Sequence, residues 1–131
     1  GFIEQQNLIP FDQVECYLKE FIICLKKHNI PVALTTMKLF DNGKEKFLSY
    51  DGSGLSFTID IVNNLASQDF LSDLDELNCR VGAKTSILKD SRLPTKIIQY
   101  QYKEYDTFKR ELFAFDPKRL FQSELSLRIG L

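Results

Sequence analysis

The sequence predicts an α+β fold of the ferredoxin-like type, an antiparallel sheet with helices on one face and a C-terminal helical tail. Three observations predict it. A chain of 131 residues suggests one domain, large enough to bury a hydrophobic core. Its apolar residues repeat with a period of two in some segments and with a helical period in others. These segments follow one another as strand, helix, strand, strand, helix, strand, which is the split βαβ order.

The N-terminal third contains the first strand, the first helix and the second strand. Residues 2–9, FIEQQNLI, form the first predicted strand, which Pro10 closes. Residues 12–29 are predicted to be helical, with Asp12 as N-cap and basic residues in the last turn. Residues 31–40 are rich in β-forming residues and give the second strand. The predicted apolar stripe of the helix consists of Val14, Leu18, Phe21, Ile22 and Leu25.

The second half of the pattern follows a polar turn predicted at residues 41–46. Residues 54–62, GLSFTIDIV, alternate strictly and predict the third strand. Residues 67–82 predict the second helix, with Gly82 as its C-terminal stop, and residues 84–88 predict a short fourth strand. The apolar face of the third strand consists of Leu55, Phe57, Ile59 and Ile61. The stripe of the second helix consists of Phe70, Leu74, Leu77 and Val81.

The tail is predicted to be helical over residues 94–115 and again over residues 116–125. Asp116 is the predicted N-cap of the second tail helix, because Pro117 then occupies the first helical position, which it favours.

Composition limits the functional classes. With 17 basic and 18 acidic residues, the chain gives no electrostatic case for binding nucleic acid or an anionic membrane. No apolar run approaches the roughly 18 residues that a membrane-spanning helix needs. Cys16, Cys24 and Cys79 form an odd set without metal-ligand spacing, although one disulfide is compatible with it. We therefore expect reduced thiols, no metal site and a cytoplasmic location.

The second face of the predicted sheet is free to meet a ligand. Ser56, Thr58 and Asp60 alternate with the apolar residues of the third strand and should lie on this free face. Glu4 and Gln6 share one side of the first strand and could join them. Convergent polar groups are what a ligand site needs, but a solvent-wetted sheet face would show the same pattern.

Five short motifs occur in order along the chain: FIEQQNLIP, MKLF, LSFTIDI, LKDSRLP and DPKRLFQSELSLRIGL. Together they resemble the C-terminal part of FAD-linked oxidases of the vanillyl-alcohol-oxidase type. Within that group they are most similar to the sugar-oxidising branch, the D-arabinono-1,4-lactone oxidases and, more closely, the decaprenylphosphoryl-β-D-ribose oxidases. The resemblance extends over essentially the whole chain, and its last motif is the most characteristic.

This resemblance implies that residues 1–131 form a cap or substrate domain. In these oxidases a separate N-terminal domain binds FAD, and the abrupt start and the lack of a Gly-rich phosphate loop lead us to expect that domain outside this chain. The implied reaction is hydride transfer to flavin from a sugar, sugar-lactone or polyprenylphosphoryl-sugar alcohol. A partner reductase is then possible, and a lipid-linked substrate would bring the protein to a membrane.

The same resemblance implies functional residues. Lys89 matches a lysine beside the flavin and substrate, where a cation would stabilise negative charge on the flavin during hydride transfer. Lys89 is thus the implied catalytic and cofactor-binding residue. The implied substrate-binding residues are Lys38, Gln6, Glu4, Ser56 and Thr58. The chain departs from these relatives at Glu4, Ser56, Thr58 and Ser86, so the sugar stays open.

The segment around Lys89 reads SILKDSR. Ile87 and Leu88 are expected to anchor it to the core, and Asp90 and Arg92 to pair or cap locally and hold the turn. Without the resemblance, Lys89 would be interpreted as a surface lysine.

Two other functional classes have the same order of elements. An RNA-recognition module should expose aromatic residues on its third strand, whereas this strand offers one Phe, in phase with the aliphatic residues. A stand-alone ferredoxin-like ligand-binding or dimerisation module has no strong sequence signature and stays open. His28 is interpreted as a cation at a helix end, and the tyrosines at 100, 102 and 105 as packing residues.

Overall fold

The computed structural model describes residues 1–41, 43 and 47–131. The predicted turn at residues 41–46 falls largely on positions outside this set. The elements are β1 (Phe2–Ile9), α1 (Val14–His28), β2 (Val32–Phe40), β3 (Gly54–Val62), α2 (Leu65–Val81), β4 (Lys84–Thr85), α3 (Thr95–Gln101), α4 (Tyr105–Phe115) and α5 (Glu124–Arg128). A short 3₁₀ turn, Phe11–Gln13, precedes α1.

In the described part of the chain, β2, β3, β1 and β4 form one antiparallel sheet, in that order. Helices α1 and α2 pack together on one face of it. This arrangement confirms the predicted ferredoxin-like fold. We call β1 to β4 with α1 and α2 the sheet unit, and residues 86–131 the tail unit.

The core of the sheet unit lies between the sheet and its two helices. Phe21 packs edge-on against Phe57, with ring centroids 5.0 Å apart, and against Phe70 at 6.0 Å. The predicted apolar face of β3 is buried, as is the predicted stripe of α2. The cluster consists of Ile9, Tyr17, Phe21, Ile30, Phe57, Ile59, Ile61, Phe70, Leu71, Leu74, Leu77, Val81 and Ala83.

Two predictions for the first helix were wrong. Ile22 is 49% exposed, whereas Tyr17 is fully buried, because Tyr17 and Phe21 lie four residues apart on the side of α1 that meets the sheet. Asp12 lies in the 3₁₀ turn, so Gln13 precedes the helix and no side chain caps it.

A buried polar network lies under the sheet. The side-chain oxygen of Asn7 accepts hydrogen bonds from Gln5, Asn78 and Thr85, and its amide donates to the hydroxyl of Tyr17 at 3.0 Å. The network joins β1 to α1, α2 and β4. Its fixed geometry favours one register for these elements, because a slipped strand would leave buried polar groups unpaired.

The second helix and fourth strand differ in length from their predictions. Helix α2 begins at Leu65, because the Asn64 side chain caps it by accepting from the backbone of Ser67. It ends as predicted at Gly82, which has a left-handed φ of 71°. Strand β4 ends at Thr85, since the chain then turns and the amides of Lys89 and Asp90 bond back to the carbonyl of Ser86.

The tail is helical, but not where the sequence predicts. The predicted helix over 94–115 is divided into α3 and α4. The predicted helix over 116–125 is absent, because Arg119 has a left-handed φ of 52° that no helix tolerates. Asp116 instead closes a turn by accepting from the backbone of Leu120 and Phe121, at 2.9 Å each. These two bonds lower the pKa of Asp116.

The three cysteines are free thiols, with Cys16 exposed and the other two half-buried. Burial raises the pKa values of Cys24 and Cys79, which keeps them protonated. Across the described residues, no helix is long and apolar enough to cross a membrane.

Candidate functional site

The free face of the sheet collects the residues that the sequence singled out. Gln6 of β1 lies opposite Thr58 of β3, and Lys38 of β2 lies opposite Ser56. Facing residues on neighbouring strands stand roughly 5 Å apart at Cβ, so their side chains can act on one ligand. The polar residues that share this face include Glu4, Gln6, Thr36, Lys38, Ser56, Thr58 and Asp60.

One end of this face is built and closed by hydrogen bonds. The amide of Gln6 donates to Ser56 Oγ at 3.2 Å, and the hydroxyls of Tyr50 and Ser56 share a 3.0 Å hydrogen bond. Ser56 is only 1% exposed, so this predicted substrate-binding residue is buried and bonded to Gln6 and Tyr50. Burial raises the pKa of Tyr50 to about 12, against the opposing bond from Ser56, so the phenol stays protonated near neutral pH.

Tyr50 is a site residue that the sequence analysis missed. It lies in a connecting segment without periodicity, so the patterns that locate strand residues do not reach it. A signal was present: Tyr50 precedes Asp51 and Gly52 immediately before β3. A tight turn there brings a residue back beside the first positions of the strand.

The other end of the face is open and charged. The ammonium group of Lys89 donates to Glu4 Oε2 at 3.2 Å, and the two side chains are 49% and 37% exposed. An ion pair this exposed contributes less than about 1 kcal/mol, so Lys89 can exchange Glu4 for another anion at little cost. The structure therefore brings Lys89, from the tail unit, to the polar residues on the free face of the sheet.

The turn that carries Lys89 is fixed by buried polar groups. Ser86 continues the pairing with β1 by donating its amide to the carbonyl of Gln6 at 2.8 Å. Asp90, whose side chain is 1% exposed, accepts from the backbone of Arg92 and Leu93 and from Nη1 of Arg128 at 2.9 Å. This confirms that Asp90 holds the turn.

Arg92 fastens the same turn to the sheet unit. Its guanidinium group donates two hydrogen bonds to Asp75 of α2, at 2.5 and 2.7 Å. Burial raises the pKa of Asp75, and the bonds from Arg92 oppose that rise. Arg92 is thus paired as predicted, but the pair is not local, because Asp75 lies on α2.

The expected apolar anchor of the turn is half correct. Ile87 is buried, but Leu88 is 80% exposed beside Lys89. Ile87 therefore anchors the segment to the core, and Leu88 presents an apolar surface next to the ammonium group of Lys89.

This arrangement is suited to binding a polar ligand at one end and an anionic group at the other. Amide, hydroxyl and carboxylate groups on the face can pair with the hydroxyls of a sugar. Lys89 and Lys38 supply cations at separate positions. Within the described residues, no group of three His, Cys, Asp or Glu side chains is placed to hold a metal ion.

The comparisons agree with an oxidoreductase context. No protein-family profile matches the chain. Over all 131 residues the chain is 26% identical to decaprenylphosphoryl-β-D-ribose oxidase of Mycolicibacterium smegmatis, and it covers 28% of that protein. It is also 28% identical over 96 residues to an uncharacterised protein in the mprA 5′ region of Streptomyces coelicolor, covering 72% of this chain and 26% of that protein. The chain is thus similar to part of an oxidase and spans less than a third of either relative.

Proposed function

We propose that this chain is the cap or substrate domain of an FAD-dependent oxidoreductase that oxidises a sugar-type alcohol by hydride transfer to flavin. One observation carries the proposal. Lys89, for which the motif resemblance implies a position beside the flavin, donates a hydrogen bond to Glu4 at the edge of the face that holds Gln6, Lys38, Ser56 and Thr58. The proposal assigns FAD binding mainly to another part of the same protein.

The residues around Lys89 fit one edge of a flavin. An isoalloxazine ring offers an apolar surface and a polar edge, and here exposed Leu88 stands next to a half-exposed ammonium group. FAD, when bound, supplies the hydride acceptor. Lys89 would stabilise the negative charge that develops on that acceptor, and Asp90 would keep its backbone in place.

The remaining residues would bind and orient the substrate. Gln6 and Tyr50 can present hydrogen bonds from a nearly rigid network around Ser56. Glu4 and Asp60 are carboxylates on this face that can accept the proton released from the substrate hydroxyl. Lys38 would suit a phosphoryl group, which is the chemistry named for the substrate of the mycobacterial relative.

The test uses the intact protein that carries this chain. We expect it to purify with a flavin absorption band, which a sugar, an aldonolactone or a polyprenylphosphoryl sugar bleaches under anaerobic stopped-flow conditions. The isolated 131-residue chain should be colourless, because the cap touches one edge of the flavin. An intact protein without flavin, or an isolated chain with near-stoichiometric flavin, contradicts the proposal. When Lys89 is replaced by Ala in this protein, Lys96→Ala is the matched control, because Lys96 is an exposed lysine on α3.

A second candidate is a stand-alone ferredoxin-like ligand-binding or dimerisation module. It is favoured by β2, which lies at the sheet edge and exposes Leu34, Met37 and Leu39 by 55%, 54% and 76%. Exposed edge strands tend to pair with another strand. If the intact protein is a colourless dimer that Met37→Lys converts to a monomer in light scattering, this candidate is supported and the oxidase domain is contradicted.

A further inference from the structure

Ser56 lies at the closed end of the free face but is itself hidden from a ligand. Only 1% of Ser56 is exposed, and Leu8, which faces it in β1, is 5% exposed. Two contacts place the segment before β3 at this end of the face. Tyr50 is hydrogen-bonded to Ser56, and a Cβ at Gly52 would lie 3.3 Å from Leu8 Cδ2. Since Tyr50 is partly exposed, a ligand here meets its phenol and not Ser56.

The hydrogen bonds around Ser56 determine where its proton points. The oxygen of Ser56 accepts from the amide of Gln6 at 3.2 Å, and its hydroxyl shares a 3.0 Å bond with Tyr50. These are its two side-chain hydrogen-bond partners in the described part of the chain. If Tyr50 were the donor, the buried proton of Ser56 would have no acceptor there, which is costly. The arrangement that pairs every group therefore has Ser56 donating to the oxygen of Tyr50.

This direction leaves the phenolic proton of Tyr50 available to a ligand. Burial raises the pKa of Tyr50 to about 12, so the phenol keeps this proton near neutral pH. The ring packs edge-on against Phe40, with ring centroids 5.8 Å apart. The donor is thus held both by its ring and by the chain of bonds from Gln6 through Ser56.

A cation stands at the same end of the face. Lys38 is exposed and faces Ser56 in the pairing of β2 with β3. Phe40, two residues further along β2, contacts Tyr50. A neutral donor near a cation suits a ligand that carries a hydroxyl oxygen and an anionic group a short distance apart. Sugar phosphates have both groups.

We propose that Tyr50 is a specificity-determining residue, which donates its phenolic proton to a hydroxyl oxygen of a sugar-type ligand, and that Ser56 acts only by orienting Tyr50. The inference rests on the proposed function for the class of ligand. It departs from the motif resemblance, which implies substrate binding by Ser56 itself. A site built to pair with a substrate hydroxyl rejects compounds that lack it, because its own polar group is then left unpaired.

The test measures the binding of D-ribose and D-ribose 5-phosphate to the intact protein by NMR titration. Tyr50→Phe keeps the ring against Phe40 and should raise Kd for both sugars by about fivefold, the contribution of one hydrogen bond. Lys38→Ala should raise Kd for D-ribose 5-phosphate alone, because D-ribose has no charge. Tyr100→Phe is the matched control and should change neither value, since Tyr100 is 66% exposed on α3.

A double variant separates Tyr50 from Ser56. Ser56→Ala should weaken binding by about twofold, because Tyr50 keeps its proton but loses the bond that orients it. Tyr50→Phe combined with Ser56→Ala should bind as weakly as Tyr50→Phe alone. The combination should also melt no lower than Tyr50→Phe, since it removes the proton that this variant leaves unpaired. If Ser56→Ala weakens binding further when Tyr50→Phe is present, the ligand contacts Ser56 directly and the inference is wrong.

The binding measurement does not depend on flavin, so the two proposals fail separately. Equal Kd values for Tyr50→Phe and the wild type, or a wild type that binds neither sugar, overturn the inference about Tyr50. An intact protein without flavin contradicts the oxidase, and the ratio of Kd values then still decides the role of Tyr50. A flavin-loaded protein with unchanged Kd in Tyr50→Phe contradicts the role of Tyr50 alone.

Discussion

In the sheet unit, α1 and α2 close over a hydrophobic core, whereas in the tail unit α4 and α5 turn apolar side chains outwards. Among the described residues, thirteen buried side chains form the first core and seven form the core of the tail unit. The larger core includes the mutually packed rings of Phe21, Phe57 and Phe70. The sheet unit therefore has a core large enough to fold by itself, whereas the tail unit needs contacts beyond its own core.

Directional polar contacts with the sheet unit supply part of the stability that the small core of the tail unit does not provide. The hydroxyl of Tyr102 donates to the carbonyl of Thr85 at 2.6 Å, and Arg92 binds Asp75. Such bonds fix position well but contribute less to stability than the burial of aromatic rings. The tail unit therefore holds Lys89 in place through directional contacts, and we expect it to be the less stable of the two units.

The largest expected effect tests the two cores directly. Phe70→Ala should cost about 3–5 kcal/mol of unfolding free energy, because it removes a fully buried ring from the sheet unit. Phe115→Ala should cost less than about 0.5 kcal/mol in the isolated chain, since Phe115 is 81% exposed. Urea unfolding of both variants gives the two values, and similar losses would contradict the contrast between the units.

The next effect concerns the link between the units. Asp90→Ala should cost about 3 kcal/mol, because it leaves the Arg128 guanidinium and two backbone amides without their acceptor. Hydrogen exchange should show the loss first in residues 90–93. Exposed Ser91→Ala is the neighbouring control. If both variants match the wild type, the turn is held by packing of Ile87 and not by Asp90.

Lys89→Ala separates rate from stability. Under the proposed function, flavin reduction by substrate in the intact protein should slow by roughly a hundredfold or more, the usual cost of losing a cation that stabilises the transition state. Unfolding free energy should fall by less than about 0.5 kcal/mol, because the pair with Glu4 is exposed. Stopped-flow reduction and thermal melts on one sample measure both. Reduction within about threefold of the wild type would leave Lys89 a solvated turn residue, and the site would rest on Lys38 and Gln6.

The sheet unit was largely predictable from sequence, for a physical reason. Helices α1 and α2 and the central strands β1 and β3 lie against one core, so their apolar residues must follow the period of the element. The strict alternation in β3 and the stripe of α2 gave the correct buried faces. Placement of Lys38, Gln6 and Ser56 on one face then follows from strand pairing.

The tail unit and the connecting segments were less predictable. A helix whose apolar side chains face outwards still has a helical period, so the pattern could not separate core from surface in α4. Asp116 and Pro117 form a helix-start signal, but left-handed Arg119 turns the chain away. Tyr50 reaches the site from a segment that has no period.

The smallest expected effect on stability comes from the ion pairs that join α1 and α2 of the sheet unit. Asp73 of α2 accepts from Lys27 at 2.6 Å and pairs with His28 Nε2 at 2.8 Å, both in the last turn of α1. The bond from His28, followed by that from Lys27, lowers the pKa of Asp73. Basic residues thus lie in the last turn of α1 as predicted, but Asp73 is a partner that the sequence did not indicate.

A lowered carboxylate pKa fixes the sign of the pH dependence. The folded state stabilises the ionised form of Asp73, so the contribution is complete above the ordinary Asp pKa of about 4 and is lost as pH falls through the lowered value. Asp73→Asn should therefore cost about 0.5–1 kcal/mol at neutral pH, because the pair is partly exposed. The cost should shrink in urea unfolding as the pH falls below about 4. Glu15→Gln, which breaks the exposed pair with Lys19 inside α1, should cost less at every pH. A cost for Asp73→Asn that does not change with pH would mean that the carboxylate acts by its shape and not by its charge.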